Sequence, residues 1–304
     1  APRRGARTDE SNEHRIESER GIRMSKKGIV WVTGCKGFIG GEIARRFKAA
    51  GYNVVGTDIE LSVCEQERLE AFAEEIQPDV VVNCAGIRRD ATNLATRIKA
   101  YEVNAVGARN VALAANAVGA FVVQVSSDDV YASKLDEPVN EFDSPEPNTP
   151  YGKSKRAGEM MVRNTTTEHL IIRSSWIYHA DSGRMHEILE AARKGQRIEA
   201  RTDQFAAPTS VMLYADLMIR AVEKGAKGTF HLVSQGSTSR YGFASKVLEY
   251  AGYDPEKVLI PAEDARTAEN VVLESMMLSM AGVELPAWED DLRSYMEEEG
   301  LLAK

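Results

Sequence analysis

Cysteine is scarce in this chain, and its scarcity excludes two kinds of scaffold at once. The three cysteines, Cys35, Cys64 and Cys84, are odd in number, far apart and without any C-x-x-C spacing. Neither a disulfide framework nor a zinc or other metal site is expected, and a reducing cytoplasm fits best. Long apolar runs are missing too: none approaches the ~18 residues of a membrane span, and the first residues hold no signal-peptide core. Nor is there an excess of positive charge. Lys and Arg number 38 against 46 Asp and Glu, a net charge of −8, with the basic residues scattered through the part expected to fold. That argues against nucleic acid or an anionic membrane surface as partner, so any anionic ligand has to be held by local groups.

What is present points to a large α/β chain. At 304 residues and 43% hydrophobic content, one α/β core with a smaller appended lobe is the expectation. Residues 1–26 carry Arg3, Arg4, Arg7, Asp9, Glu10, Glu13, Glu17 and Glu19 with almost no large apolar side chain. Such a segment cannot offset the entropy of ordering and is expected to be a disordered tail. Met24, just before Lys26 and Lys27, is the expected natural start of translation. From residue 29 strands and helices alternate: strands at about 29–32, 53–57, 80–82, 121–125 and 170–172, a long helical pattern over 94–118, helices near 186–193 and 214–223, a strand at 229–233, and helices from about 241 and 288. This alternation predicts a Rossmann-type, doubly wound parallel sheet with a smaller C-terminal α/β substrate lobe. The dinucleotide-binding core is expected over 27–175. Residues 176–304 are expected to be mainly substrate lobe, with some segments returning to the core.

Gly34-Cys35-Lys36-Gly37-Phe38-Ile39-Gly40 reads G-x-x-G-x-x-G between the first strand and the first helix. Glycines there let backbone approach a pyrophosphate, and the helix N-terminus supplies partial positive charge. Asp58, at the end of the second strand and about 18 residues after Gly40, is placed to accept hydrogen bonds from ribose hydroxyls. That leans toward NADH over NADPH, although a nearby lysine or arginine would accept a 2′-phosphate. Cys84-Ala85-Gly86, after the third strand, has the small side chains that a backbone passing close to adenine or ribose needs; a tight strand end would read the same.

Tyr151-Gly152-Lys153-Ser154-Lys155 follows the loop of residues 144–150, whose prolines exclude helix and central strand. Tyr151 and Lys155, four apart on a helix, share one face. An ammonium beside a phenol favours phenolate and lowers the tyrosine pKa toward the working pH, which suits proton exchange with a carbonyl or alkoxide oxygen. Ser127, after the strand at 121–125, is a hydroxyl at the carboxyl end of a parallel strand, where ligands sit.

Taken together and in this order, these residues resemble the extended short-chain dehydrogenases/reductases from about residue 28 to 298. Within that family the chain looks most like the dTDP-4-dehydrorhamnose reductase branch. Besides the glycine loop and the Tyr151–Lys155 pair, the similar stretches are Val103-Asn104-Ala105-Val106-Gly107-Ala108-Arg109-Asn110, Arg173-Ser174-Ser175-Trp176-Ile177-Tyr178 and Asp203-Gln204-Phe205-Ala206-Ala207-Pro208-Thr209. The resemblance implies hydride transfer from NADH or NADPH to the C4 ketone of a nucleotide-activated 4-keto-6-deoxy sugar. In that reading Tyr151 protonates the oxygen, Ser127 orients it and Lys155 also holds the nicotinamide ribose. Asp128, Trp176 and Gln204 line the sugar pocket, and Arg266 meets the diphosphate bidentately. A homodimer is compatible with this reading. The chain departs from the family at Asp129, usually tyrosine, at Thr267, usually proline, and over Gly86-Ile87-Arg88-Arg89-Asp90.

Two other functions share these features. Ser127-Asp128-Asp129-Val130-Tyr131 is similar to the threonine, aspartate, glutamate run of nucleotide-sugar 4,6-dehydratases, where adjacent carboxyl groups eliminate water. A non-catalytic NAD(P)-binding regulatory subunit, as in the methionine adenosyltransferase β subunit that resembles these reductases, would keep the fold without the chemistry.

Overall fold

Alternate residues of the short apolar strands point to opposite faces and build two separate cores. Val30, Val32, Val80, Val82, Val123 and Val125 pack on one side with Ile43 and Phe47, while Trp31, Val81 and Val122 pack on the other with Leu69, Val111 and Val162. A period of two with both faces apolar is what a parallel sheet covered by helices on each side requires. Each such side chain, fully buried, contributes roughly 1.5–3 kcal/mol.

The computed structural model describes residues 28–87, 93–132, 137–264 and 269–303; the segment expected as a disordered tail, residues 1–26, lies outside them. The strands are β1 Ile29–Thr33, β2 Asn53–Thr57, β3 Val80–Asn83, β4 Phe121–Val125 and β5 His169–Arg173, with a sixth strand at Gly228–His231. They form one parallel sheet in the order β2-β1-β3-β4-β5-sixth. The chain leaves β1 toward β2 on one side and returns to β3 on the other, so the strand order reverses between β1 and β3. Ligands of such sheets bind outside the carboxyl ends at that reversal.

Helix Phe38–Ala49 covers one face, beside helix Val211–Glu223. Helices Gln66–Ile76, Ala108–Ala117 and Pro150–Thr165 cover the other. The helical pattern read over 94–118 is not one α-helix: Leu94–Tyr101 runs into a π-helical turn, Glu102–Gly107, before Ala108–Ala117. An inserted π-turn shifts the face that follows it and often marks a functional site. The proline-rich loop also stops one residue short of its expected end. Pro150 is the first residue of its helix, where a missing N–H costs nothing, and Thr149 Oγ1 accepts a hydrogen bond from the Gly152 amide at 2.9 Å.

The smaller lobe has its own core, in which Met185, Ile188, Phe243, Val247, Trp288 and Leu292 pack together. It carries short sheets only. Gln204–Ala206 lies between Thr238–Ser239, antiparallel, and Glu269–Asn270, parallel. Among the described residues no helix is long and apolar enough to cross a membrane.

Candidate active site

Three strand ends meet in register at the site. Thr33 is level with Asn83, and Asn83 with Gln124. Their side chains are buried and linked: Thr33 Oγ1 donates to Asn83 Oδ1 at 2.7 Å, Asn83 Nδ2 to Gln124 Oε1 at 2.8 Å, and Gln124 Nε2 to the Val125 carbonyl at 2.8 Å. Polar side chains at the carboxyl ends of otherwise apolar strands were the sequence signal for this row, and sequence reasoning assigned them nothing.

The glycine loop follows Thr33. Gly34 has φ +65°, and a Cβ there would stand 2.8 Å from the Ala85 amide nitrogen. A Cβ on Gly40 would stand 2.3 Å from the Gly34 carbonyl oxygen. The loop is therefore closed down on itself and on Cys84-Ala85, a packing that only glycine permits. Gly37 precedes helix Phe38–Ala49, whose first turn has neither a side-chain cap nor an acidic residue, so its N–H groups and partial positive charge are left for an anion. Phe38 is exposed at the helix start and Ile39 tucks against the core. This cradle fits a dinucleotide pyrophosphate. Burial pushes the Cys84 thiol up to about 12 against the pull of Lys155, which keeps it neutral.

Asp58 is drawn to the edge of the same loop. Its Oδ2 accepts from the Lys36 amide at 2.9 Å and its Oδ1 from the Ile59 amide at 2.9 Å. Beside it, the Lys36 ammonium pairs with Glu60 at 2.9 Å. A carboxylate and an ammonium thus stand together at the edge of the glycine loop.

Lys155 reaches the row from the other side. Its Nζ donates to the Val125 carbonyl at 2.6 Å, and a Cβ on Gly86 would lie 3.9 Å from that nitrogen and 3.3 Å from Asn104 Oδ1. Burial holds the ammonium down at about 8, opposed by Glu159 and Cys84. Asn104, from the π-turn, pins the loop after β3: it accepts from the Ile87 amide at 2.8 Å, donates to the Ile87 carbonyl at 3.0 Å and donates to Ser154 Oγ at 2.9 Å. The sequence reading quoted Asn104 without giving it a role.

Ser127 begins a 3-10 turn, Asp128–Val130, its hydroxyl donating to Asp128 Oδ1 at 2.8 Å and lying 3.2 Å from Asp129 Oδ2. That turn rests on the helix of Tyr151: a Cβ on Gly152 would fall 1.8 Å from the Asp129 carbonyl oxygen. Tyr151 stands half-buried one residue ahead of that contact. Underneath, Ser126 Oγ donates to Glu159 Oε1 at 2.7 Å, and Arg173 grips Glu159 at 2.9 and 2.8 Å. A satisfied buried pair of this kind fixes the helix against β4 and β5.

Asp128 continues toward the lobe, its Oδ2 accepting from Ser175 Oγ at 2.7 Å. Trp176 comes next with φ +38°, a conformation costing a bulky residue about 1–2 kcal/mol. Arg240 lies over its ring, 4.0 Å from the centroid, and donates from Nε to Gln204 Oε1 at 2.8 Å. Trp176 and Gln204 are thus brought together by a residue that sequence reasoning missed, because no local pattern links positions 36 apart. Arg266, with Thr267 and residues 88–90, lies outside the described residues.

The chain is similar to known proteins over nearly its whole length. The spore coat polysaccharide biosynthesis protein SpsK of Bacillus subtilis is 33% identical over 276 residues, covering 88% of this chain and 97% of that one. The dTDP-4-dehydrorhamnose reductase of Escherichia coli is 31% identical over 228 residues, 72% of this chain and 76% of the relative. Among solved structures, dTDP-4-dehydrorhamnose reductase from Bacillus anthracis in complex with NADP superposes with a TM-score of 0.83 at 29% identity, over 90% of this chain and 98% of that chain. With residues 28–300 matching the model of the RmlD substrate binding domain, the protein is a member of that family.

Proposed function

We propose that the protein reduces the C4 ketone of a nucleotide-activated 4-keto-6-deoxy sugar, with NADH or NADPH as the reductant. The observation that carries this reading is Lys155, a buried ammonium set between the Gly86 loop and the end of β4, on the helix whose second residue is Tyr151. Relatives named dTDP-4-dehydrorhamnose reductase supply the substrate class. When bound, the reduced nicotinamide supplies the hydride. With substrate bound, the Ser127 hydroxyl turns its one hydrogen from Asp128 to the ketone oxygen and orients it. The Tyr151 hydroxyl gives its proton to that oxygen as negative charge develops, and the Lys155 ammonium stabilises the phenolate left behind. Asp128, Trp176, Gln204 and Arg266 bind the sugar nucleotide. The glycine loop and residues 84–86 hold the dinucleotide. The dehydratase reading has less support, since each Asp128 oxygen already takes a serine hydroxyl. With Ser127, Tyr151 and Lys155 all present, a purely regulatory role gains none.

The test is consumption of reduced nicotinamide, followed by absorbance, with a dTDP-4-keto-6-deoxy sugar. Turnover with this class is the expected result; no consumption with any nucleotide 4-keto sugar overturns the reading.

Two predictions concern the dinucleotide. Gly40→Ala, which forces a Cβ against the Gly34 carbonyl, is expected to weaken NADPH binding roughly tenfold or more, about 1.4 kcal/mol. A fluorescence titration of NADPH checks it, and unchanged affinity removes the loop from the site. Asp58 leans toward NADH because its carboxylate repels a 2′-phosphate, whereas Lys36 nearby attracts one. Asp58→Asn is therefore expected to raise kcat/KM for NADPH relative to NADH by about tenfold, measured with both cofactors at fixed sugar. A ratio that does not move excludes Asp58 as the discriminating charge.

A further inference from the structure

We infer that Arg240 is a positioning residue for sugar specificity, holding the Trp176 ring and the Gln204 amide in one fixed arrangement at the entrance to the lobe. The inference rests on the reductase reading and adds to it a residue outside the catalytic and cofactor-binding groups. Arg240 is the first residue of helix Arg240–Tyr250, and the helix start is anchored by Ser239 Oγ, which accepts from the Gly242 amide at 3.0 Å. Ser239 pairs with Phe205 across the small antiparallel ladder, so the strand carrying Gln204 and the origin of the Arg240 side chain form one rigid unit. From there the guanidinium lies 4.0 Å from the Trp176 ring centroid, and its Nε is engaged by Gln204 at 2.8 Å.

Trp176 sits where the chain passes from β5 to the lobe. It follows Ser175, whose hydroxyl is bonded to Asp128 at 2.7 Å, and Asp128 in turn holds the Ser127 hydroxyl at 2.8 Å. A single planar cation therefore links the lobe to the chain of contacts that ends at Ser127. The left-handed backbone of Trp176, φ +38°, is sparsely populated and persists only where its surroundings hold it. Stacking and one directed N–H suit arginine; lysine keeps the charge but has neither the plane nor the fork.

The experiment compares Arg240→Lys, Arg240→Leu and Trp176→Leu, singly and as the double variant Arg240→Leu/Trp176→Leu, in the full-length protein. The expected result is a severalfold to tenfold rise in KM for the sugar nucleotide in both Arg240 variants, with kcat and NADPH affinity unchanged. Because Arg240 acts in part through the ring and in part through Gln204, the double variant is expected to lose less than the sum of the two single losses. Additive losses in the double variant, or a KM unaffected in Arg240→Leu, overturn the inference. A Tm equal to that of the parent protein separates these effects from unfolding. Absence of turnover in the parent with every nucleotide 4-keto sugar counts instead against the reductase reading. In that event the same variants are read by tryptophan fluorescence with dTDP as probe: quenching that Trp176→Leu and Arg240→Leu both abolish supports the positioning role, and quenching intact in Arg240→Leu overturns it.

Discussion

Tyr151→Phe is expected to lower turnover about 10²–10⁴-fold, the range of one positioned proton donor, while the affinity for NADPH stays that of the parent. The substitution deletes one hydroxyl and leaves the ring, and Gly152, which carries the close contact with the Asp129 carbonyl, is untouched. The helix start is unaffected as well, because its cap is Thr149 and its first residue is Pro150. Measured together, single-turnover reduction and a fluorescence titration of NADPH distinguish loss of chemistry from loss of binding. Near-normal turnover in the variant removes Tyr151 from the reaction, and with it the mechanism. A parallel loss of NADPH affinity assigns the residue to binding instead.

Lys155→Met separates activity from stability in opposite directions. Turnover is expected to fall by about 10² or more, since no cation remains to stabilise the phenolate. Stability at pH 7 is expected to rise. Burial lowers the ammonium from its ordinary value of 10.5 to about 8, so holding it charged in the native state costs roughly 3 kcal/mol at about 1.4 kcal/mol per unit. Methionine keeps the length of the chain without the charge. The partner is not orphaned, because the Val125 carbonyl still accepts from Gln124.

The pH dependence follows with a definite sign. Between about 8 and 10.5 the unfolded lysine holds a proton that the folded one has lost, so stability contributed by this group rises with pH across that window. Turnover runs the other way and is expected to decline as the pH passes about 8, because the charged form is the functional one. Thermal unfolding of parent and variant at pH 7 and pH 10 checks the first, and kcat against pH the second. A variant less stable than its parent at pH 7 refutes the claim that this ammonium is a burden on the fold.

The parts of the fold legible in the sequence were those where burial imposes a period. Runs such as residues 29–32 and 121–125 are apolar on both faces and bounded by glycine or polar residues, and the strands fall there. Lobe strands of two or three residues, Gln204–Ala206 and Thr238–Ser239, are too short to show any period. The π-turn was hidden for a related reason: one inserted backbone step changes the hydrogen-bond partner without changing the kinds of residue. Among the candidate site residues, Gly34 and Lys155 stand out in the sequence through motif spacing and Ser127 through its place after a strand. Arg240 and Asn104 do not, since their contacts arise from packing between elements distant in the chain.

The row of side chains from Thr33 to Gln124 has a direction. A backbone carbonyl cannot donate, so Gln124 has to present its amide N–H to Val125 and its oxygen to Asn83, and Asn83 is then obliged to offer its own oxygen to Thr33. Reversing Gln124 would set donor against donor and acceptor against acceptor, and reversing Asn83 would set its oxygen against that of Gln124, in a dry interior. The oxygen that receives Lys155 thereby dictates, two strands away, which way the Thr33 hydroxyl hydrogen points, and leaves that hydroxyl with lone pairs alone to offer a further partner.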